Sequence, residues 1–261
     1  MSYFSLLGLE KEPFSTSPDP DFFYQSQEHQ AALTRLMIEI RLRRGLSVIL
    51  GDVGTGKTTL SRKLFQMLRA REDMLFFMIL DPTYDSEEVF LESLVRTFHI
   101  QMDKQHPSLL DYKEALKTYL FQKGIQENKT VILLVDEAQK LNQASLEVLR
   151  VLLNYETNEF KLLQLVLLAQ LELLPKIREM KNLLDRISMK YIINPLDDAE
   201  TKEMISFRIR QAGYQASIPL FQDEAIAEIY QQTQGYPRRI SMMCHNALKH
   251  LVMENKPIVD R

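Results

Sequence analysis

Leu46-Ser47-Val48-Ile49-Leu50-Gly51-Asp52-Val53-Gly54-Thr55-Gly56-Lys57-Thr58-Thr59-Leu60 is the stretch that decides how the rest of the chain is read. Gly51, Gly56, Lys57 and Thr58 satisfy the spacing G-x-x-x-x-G-K-[ST], which carries meaning only between a strand and a helix. Both flanks agree. Val48-Ile49-Leu50 is a short apolar run suited to a buried parallel strand, and Leu60, Leu64, Met67 and Leu68 recur at helical spacing over Thr59 to Ala70.

Each residue type in the loop has its own reason. Gly51, Gly54 and Gly56 let the backbone bend and approach phosphate oxygens, so that successive N–H groups, including those of Asp52, Val53 and Thr55, form an anion nest at a helix N-terminus. Lys57 supplies a flexible charge for the β- and γ-phosphates of ATP, and Thr58 offers a hydroxyl to Mg²⁺. Thr59 is read as a residue of the first helical turn that closes the loop.

Downstream, Val131-Ile132-Leu133-Leu134-Val135 is the most hydrophobic strand candidate and runs straight into Asp136-Glu137. A buried parallel strand delivers such a pair to the carboxyl edge of its sheet, where nucleotide sites lie. Asp136 is the expected acidic partner of Mg²⁺ opposite Thr58, and Glu137 the carboxylate that orients and deprotonates an attacking water.

Further strands are expected at Met74 to Leu80, Leu162 to Ala169 and Met189 to Ile193. Between them the apolar spacing predicts helices. One starts from an Asp85/Glu88 capping box, one runs from about Ser108 to Gln122 and is stopped by Gly124, and one spans about Gln143 to Glu156. Short helices are expected at Leu171 to Met180 and Leu183 to Ile187. Before the loop, Ser26 is placed to cap a helix whose apolar positions are Leu33, Leu36, Met37 and Ile40. Residues 1–25, with Phe4, Pro13, Phe14, Pro18, Pro20, Phe22, Phe23 and Tyr24, read as a non-helical but ordered arm laid against the domain.

From Asp197 the pattern is helical only. Asp197 and Glu200 form a capping box, Gly213 fits a C′ position, and helices follow at about 223–233 and 238–253. The expected fold is therefore α/β: a P-loop domain with a parallel sheet sandwiched by helices, then a small all-helical lid. The divisions are an arm at 1–25, the α/β domain at 26–195 and the lid at 196–261.

The bulk numbers agree with a soluble globular chain. It has 261 residues, 45% hydrophobic and 26% charged, enough for a large core and a small one. Its net charge of −3 weighs against a main task of gripping nucleic-acid phosphates. Cys244 is the only cysteine and shares a helical face with Ala247, Leu248 and Leu251, which marks a buried structural thiol in a reducing compartment. His245 and His250 are wrongly spaced for a shared zinc. No signal segment and no run of about 18 apolar residues is seen, so a cytoplasmic location is expected.

The phosphate loop, Leu-Leu-Val-Asp-Glu-Ala-Gln (133–139), Ala-Gln (169–170), Leu-Leu-Asp-Arg-Ile (183–187) and Gly-Tyr-Pro-Arg (235–238) resemble an AAA+ ATPase. With Pro-Phe (13–14), Ser-Pro-Asp-Pro-Asp-Phe-Phe (17–23) and Ser-Gln-Glu-His-Gln-Ala-Ala-Leu (26–33), the chain resembles the general secretion pathway protein A (ExeA-like) ATPases over nearly its whole length. The resemblance implies a sensor role for Gln170 at the γ-phosphate or attacking water, and a lid response to nucleotide through Arg238. It also implies an arginine finger at Arg186 reaching a neighbouring subunit, with Arg178 as second choice, and a position near the adenine for His29. Arg150 and Arg239 read as solvated or salt-bridged residues.

By the same resemblance, the partners are ATP, further copies of the chain in a ring or filament, and secretion, pilus or exopolysaccharide assembly proteins that would bring it to the inner membrane. The membrane span and cell-wall-binding region common in that family are not seen in this sequence. Two other readings compete with an oligomeric ATPase: a nucleotide-gated assembly scaffold, and a DNA-associated transposition helper. A small-molecule kinase fits poorly with the Asp-Glu pair and the arginine-bearing lid.

Overall fold

The computed structural model describes residues 3–17, 19–102 and 104–260, so Met1, Ser2 and the expected arm proline Pro18 lie outside the described residues. The chain divides into two compact units that interleave in sequence. One comprises Ala31–Gly51 and Lys63–Ile192; the other comprises the segment up to Gln30, Asp52–Arg62 and everything from Ile193 onward.

The first unit is built on a five-stranded sheet. In chain order, and across both units, the elements up to the last strand are α1 (Tyr3–Leu6), α2 (Gln27–Arg41), β1 (Leu46–Gly51), α3 (Lys57–Leu68), β2 (Met74–Ile79), α4 (Glu87–Thr97), α5 (Leu109–Phe121), β3 (Thr130–Val135), α6 (Gln143–Leu152), β4 (Leu163–Ala169), α7 (Leu173–Glu179), α8 (Lys181–Leu184) and β5 (Ile187–Ile193). The strands lie in the order β2-β3-β4-β1-β5, with β2–β3, β3–β4 and β4–β1 paired in parallel. Every residue of the three central strands is buried. That is why they read as largely apolar runs, with Ser47 and Gln164 among the buried polar exceptions: a parallel strand covered on both faces has no solvent side to present. The edge strand β5 alternates instead, with Met189 and Ile193 buried and Ser188 and Lys190 exposed.

One face of the sheet, through Leu46, Val48, Leu50, Val131, Leu133, Val135, Leu163, Leu165 and Leu167, packs with Phe90, Leu91, Leu94, Leu116, Leu120, Leu146 and Leu149 from α4, α5 and α6. The alternate residues Ile49, Ile132, Leu134, Val166 and Leu168 are also buried. Each such aliphatic side chain contributes about 1.5–3 kcal/mol on burial.

Three local expectations are corrected. The cap of α4 is Ser86, whose Oγ accepts from Val89 N–H at 3.2 Å; Asp85 lies one residue too early to reach that third amide. Gly124 does not stop α5, because a π-turn carries the chain on from Gln122 to Gln126. Its lack of a side chain serves packing, since a Cβ there would sit 2.8 Å from Leu162 Cδ2. The segment expected to hold a helix up to Ile187 instead gives α8 over Lys181–Leu184 and opens β5 at Ile187.

The second unit holds α9 (Asp198–Gln211), α10 (Asp223–Thr233) and α11 (Pro237–Met253). Asp197 and Glu200 form the expected reciprocal capping box, and Gly213, past the end of α9, takes φ +90°. The aromatic arm packs into the core of these helices through Leu9, Phe14 and Phe22. It includes the four-residue helix α1, which is possible because the first proline of the arm comes only at Pro13. Glu10 and Lys11 donate their N–H groups to Ala212 O at 2.8 and 3.2 Å. The buried Arg208 guanidinium donates to Ser15 O at 3.3 Å and to Ser241 Oγ, fastening arm, α9 and α11 together. Burial holds its pKa down to about 10. Cys244 is buried among the same helices, and burial pushes its thiol pKa up.

Candidate nucleotide site

In the sheet unit, parallel pairing sets the register of the strand ends. Val48, Leu167 and Val135 share one row, and Leu50 pairs with Ala169. One residue beyond those pairings come Asp136 after β3, Gln170 after β4, and Gly51 at the end of β1. Adjacent strands lie about 4.8 Å apart. The carboxyl edge of β1, β4 and β3 therefore gathers the start of the glycine loop, the polar Gln170 and the acidic pair.

Asp136 is buried and its Oδ1 accepts the Glu137 N–H at 2.9 Å. Glu137 adopts φ +53°, the left-handed region that non-glycine residues seldom occupy and that concentrates at functional sites. Its carboxylate pairs with Lys140 Nζ at 2.7 Å, and Lys140 also reaches Asp81 at 3.4 Å. Gln139 Oε1 accepts the Gln170 N–H at 3.1 Å, while Lys176 Nζ donates to the carbonyls of Gln139 and Leu141. The turn after β3 and the end of β4 are thus held as one piece. Arg186 is partly buried: Nη1 donates to Leu153 O at 3.4 Å, and Nε is buried with no hydrogen-bond partner among the described residues. Arg178 is exposed, and Arg150 makes a two-point ion pair with Glu147.

In the other unit the glycine loop has the strained turns its sequence calls for. Gly54 has φ +85° and Gly56 φ +98°. Three carbonyls of the loop have partners. Asp52 O accepts Thr55 Oγ1 at 2.9 Å and Lys57 Nζ at 2.8 Å. Gly54 O accepts the Arg238 N–H at 3.3 Å. Thr55 O lies 2.8 Å from His29 Nε2. A glycine loop whose carbonyls are tied back in this way and which runs into the N-terminus of α3 has the chemistry of an anion-binding turn.

Gly235-Tyr236-Pro237-Arg238 lies against this loop. Tyr236 Oη donates to Asp52 Oδ2 at 2.8 Å, and Arg239 sits over the Tyr236 ring at 4.7 Å. A Cβ on Gly54 would meet Arg238 Cβ at 3.0 Å. His29 packs edge-on against Phe23, with ring centroids 4.9 Å apart. His245 is engaged by Tyr3 Oη and by Glu12, each at 2.9 Å.

Tyr236, Gln139, Lys140 and Lys176 make contacts here that their sequence positions do not announce. Two of them lay inside motifs already quoted, Gly-Tyr-Pro-Arg and the run ending Asp-Glu-Ala-Gln. Lys140 follows that run directly, whereas nothing in the sequence marks Lys176.

A glycine phosphate loop after the first strand and an acidic pair after the third, in a parallel sheet of this strand order, define a P-loop nucleotide-binding α/β protein. A profile of the AAA domain matches residues 40–177, and the chain belongs to that family.

Over 248 residues the chain is 35% identical to general secretion pathway protein A of Aeromonas hydrophila, covering 94% of this chain and 44% of that protein. It thus spans less than half of that relative's length. Solved structures share the fold at low identity. Cdc6p from Pyrobaculum aerophilum superposes with a TM-score of 0.70 at 16% identity, covering 95% of this chain and 67% of that one. The Aeropyrum pernix ORC2 protein, in ADPNP-ADP complexes, gives 0.64 at 17%, covering 94% and 69%. The Thermotoga maritima RuvB Holliday junction branch migration motor gives 0.57 at 14%, covering 92% and 70%. Among the described residues no helix is long and apolar enough to cross a membrane.

Proposed function

We propose that the chain is a Mg²⁺-dependent ATPase that acts as a homo-oligomer, in the cytoplasm, to drive or time assembly of a secretion, pilus or exopolysaccharide machine. The observation that supports the catalytic part is the shared carboxyl edge, where the parallel register ends β1 and β4 together at the Leu50–Ala169 pair and ends β3 two residues earlier, at Val135. The secretion part rests on the relative from Aeromonas hydrophila.

In this reading the loop amides from Gly51 to Thr59 bind the phosphates and Lys57 neutralises the β- and γ-oxygens. Thr58 and Asp136 would hold Mg²⁺, which would supply positive charge to offset the charge developing on the phosphates. Glu137 takes the proton of the attacking water, and Gln170 orients that water or the γ-phosphate. Arg238 carries the nucleotide response of the lid helices. Arg186 of a neighbouring copy completes the charge stabilisation in trans, as finger arginines do.

Lys57→Ala should abolish ATP binding, and Glu137→Gln should keep binding while lowering turnover roughly 10²–10⁴-fold. Undiminished turnover in the latter removes Glu137 from its role. Mixing Arg186→Ala with Lys57→Ala protein should restore part of the activity; no recovery at any concentration removes Arg186 as the finger.

The ion pair of Glu137 with Lys140 favours a second reading, a nucleotide-gated scaffold in which slow hydrolysis is a timer. Steady-state turnover, measured beside sizing with and without a non-hydrolysable analogue, separates the two.

A further inference from the structure

We propose that His29 is a positioning residue for the phosphate loop: it fixes the Thr55 carbonyl and so turns the Gly56 amide toward a bound phosphate. The proposal rests on the nucleotide reading above.

The hydrogen-bond chain has a determined direction. Thr55 O can only accept, so His29 Nε2, 2.8 Å away, carries a hydrogen. Ser26 Oγ accepts the His29 backbone N–H at 3.3 Å, leaving its own hydrogen for His29 Nδ1 at 2.7 Å. Ser26 thus donates to the ring, and the ring donates to the loop. Both atoms of His29 that set its position, the backbone amide and Nδ1, are held by the residue that caps α2. His29 is 1% exposed and Thr55 is fully buried. Burial lowers the histidine's proton affinity, which keeps the single-proton form in place.

The peptide joining Thr55 to Gly56 is planar and trans, so its C=O and N–H point in opposite directions. Drawing the carbonyl toward His29 directs the Gly56 N–H away from the imidazole and into the hollow of the loop. The approach is so close that a Cβ on Gly56 would lie 2.9 Å from Nε2 and 3.6 Å from the Phe23 ring. Gly56 therefore answers to two demands, its φ of +98° and the imidazole behind it. An adenine contact, which the family resemblance implies for this histidine, makes a different demand: it would act on the base and leave the phosphates alone.

The test uses the full chain carrying His29→Gln, His29→Phe, His29→Ala or Ser26→Ala, with thermal melting to establish folding. Affinities for ADP and inorganic pyrophosphate are measured by calorimetry, and for adenosine by NMR titration. The proposal expects His29→Phe and His29→Ala to weaken ADP and pyrophosphate at least tenfold while leaving adenosine within twofold. His29→Gln, whose amide can still donate to Thr55 O, should recover most of the loss, and Ser26→Ala should fall between.

Wild-type affinity in the His29→Phe protein overturns the proposal. So does a loss confined to adenosine, or a glutamine variant no better than phenylalanine among folded proteins. A wild-type chain that binds neither ADP nor ATP overturns the nucleotide reading itself, and this inference with it.

Discussion

The Tyr236 hydroxyl donates to Asp52 Oδ2 at 2.8 Å, joining the residue before α11 to the first variable position of the phosphate loop. The bond raises the Tyr236 pKa, because the neighbouring carboxylate holds the proton in place. Beside it, the Arg238 N–H is bonded to Gly54 O. Loop and lid-helix start are thus linked by a side chain and by backbone.

Tyr236→Phe and Asp52→Ala should each lower the melting temperature slightly, by roughly 1–2 °C. Their effects should not add, since either change removes the same bond. A double-mutant cycle followed by thermal melting checks this, and full additivity would mean the two side chains act separately.

Gly235→Ala should be far more damaging. Gly235 has φ +72°, and a Cβ there would lie 1.8 Å from Leu196 O. Leu196 N–H also bonds to Gly235 O at 2.9 Å, so relief by moving either backbone breaks the turn. Denaturant titration should show a loss of roughly 2–4 kcal/mol.

Lys140→Met tests what holds Glu137. In the proposed role as general base, its carboxylate would have to leave the ion pair with Lys140 before accepting a proton from water. Removing the cation should raise kcat roughly two- to fivefold, the span an exposed pair accounts for, with KM little changed. Steady-state kinetics decide it, and an unchanged kcat would mean the pair does not restrain the base.

Stability should fall on acidification through His29. Burial lowers its proton affinity below the ordinary value of 6.5, against the weaker opposing pull of the Thr55 carbonyl and Glu28. Between the two values the unfolded chain binds a proton that the native chain refuses, so stability rises with pH there. The contribution is complete above about pH 6.5 and is lost progressively below it, with a slope of at most about 1.4 kcal/mol per pH unit. Denaturation from pH 7 to 5 should show a shallower slope for His29→Gln than for wild type.

Much of the fold was legible because it is written locally. β1, β3 and β4 announce themselves as apolar runs since both of their faces are covered. The Asp197/Glu200 box lies within one helical turn of itself. Errors came where two local signals competed, as at Asp85 and Ser86, or where a glycine had a packing reason that no neighbour in sequence reveals, as at Gly124 against Leu162.

From its sequence alone, the chain declares a glycine turn between a strand and a helix and an acidic pair at the end of a buried strand, because such patterns depend on residues within a few positions of one another. Only the tertiary structure decided that Tyr236 meets Asp52 across 184 residues, that His29 meets Thr55 across 26, and that Lys140 engages Glu137 in a left-handed turn. Those choices depend on which surfaces remain exposed once the apolar cores have closed, and no local periodicity records that.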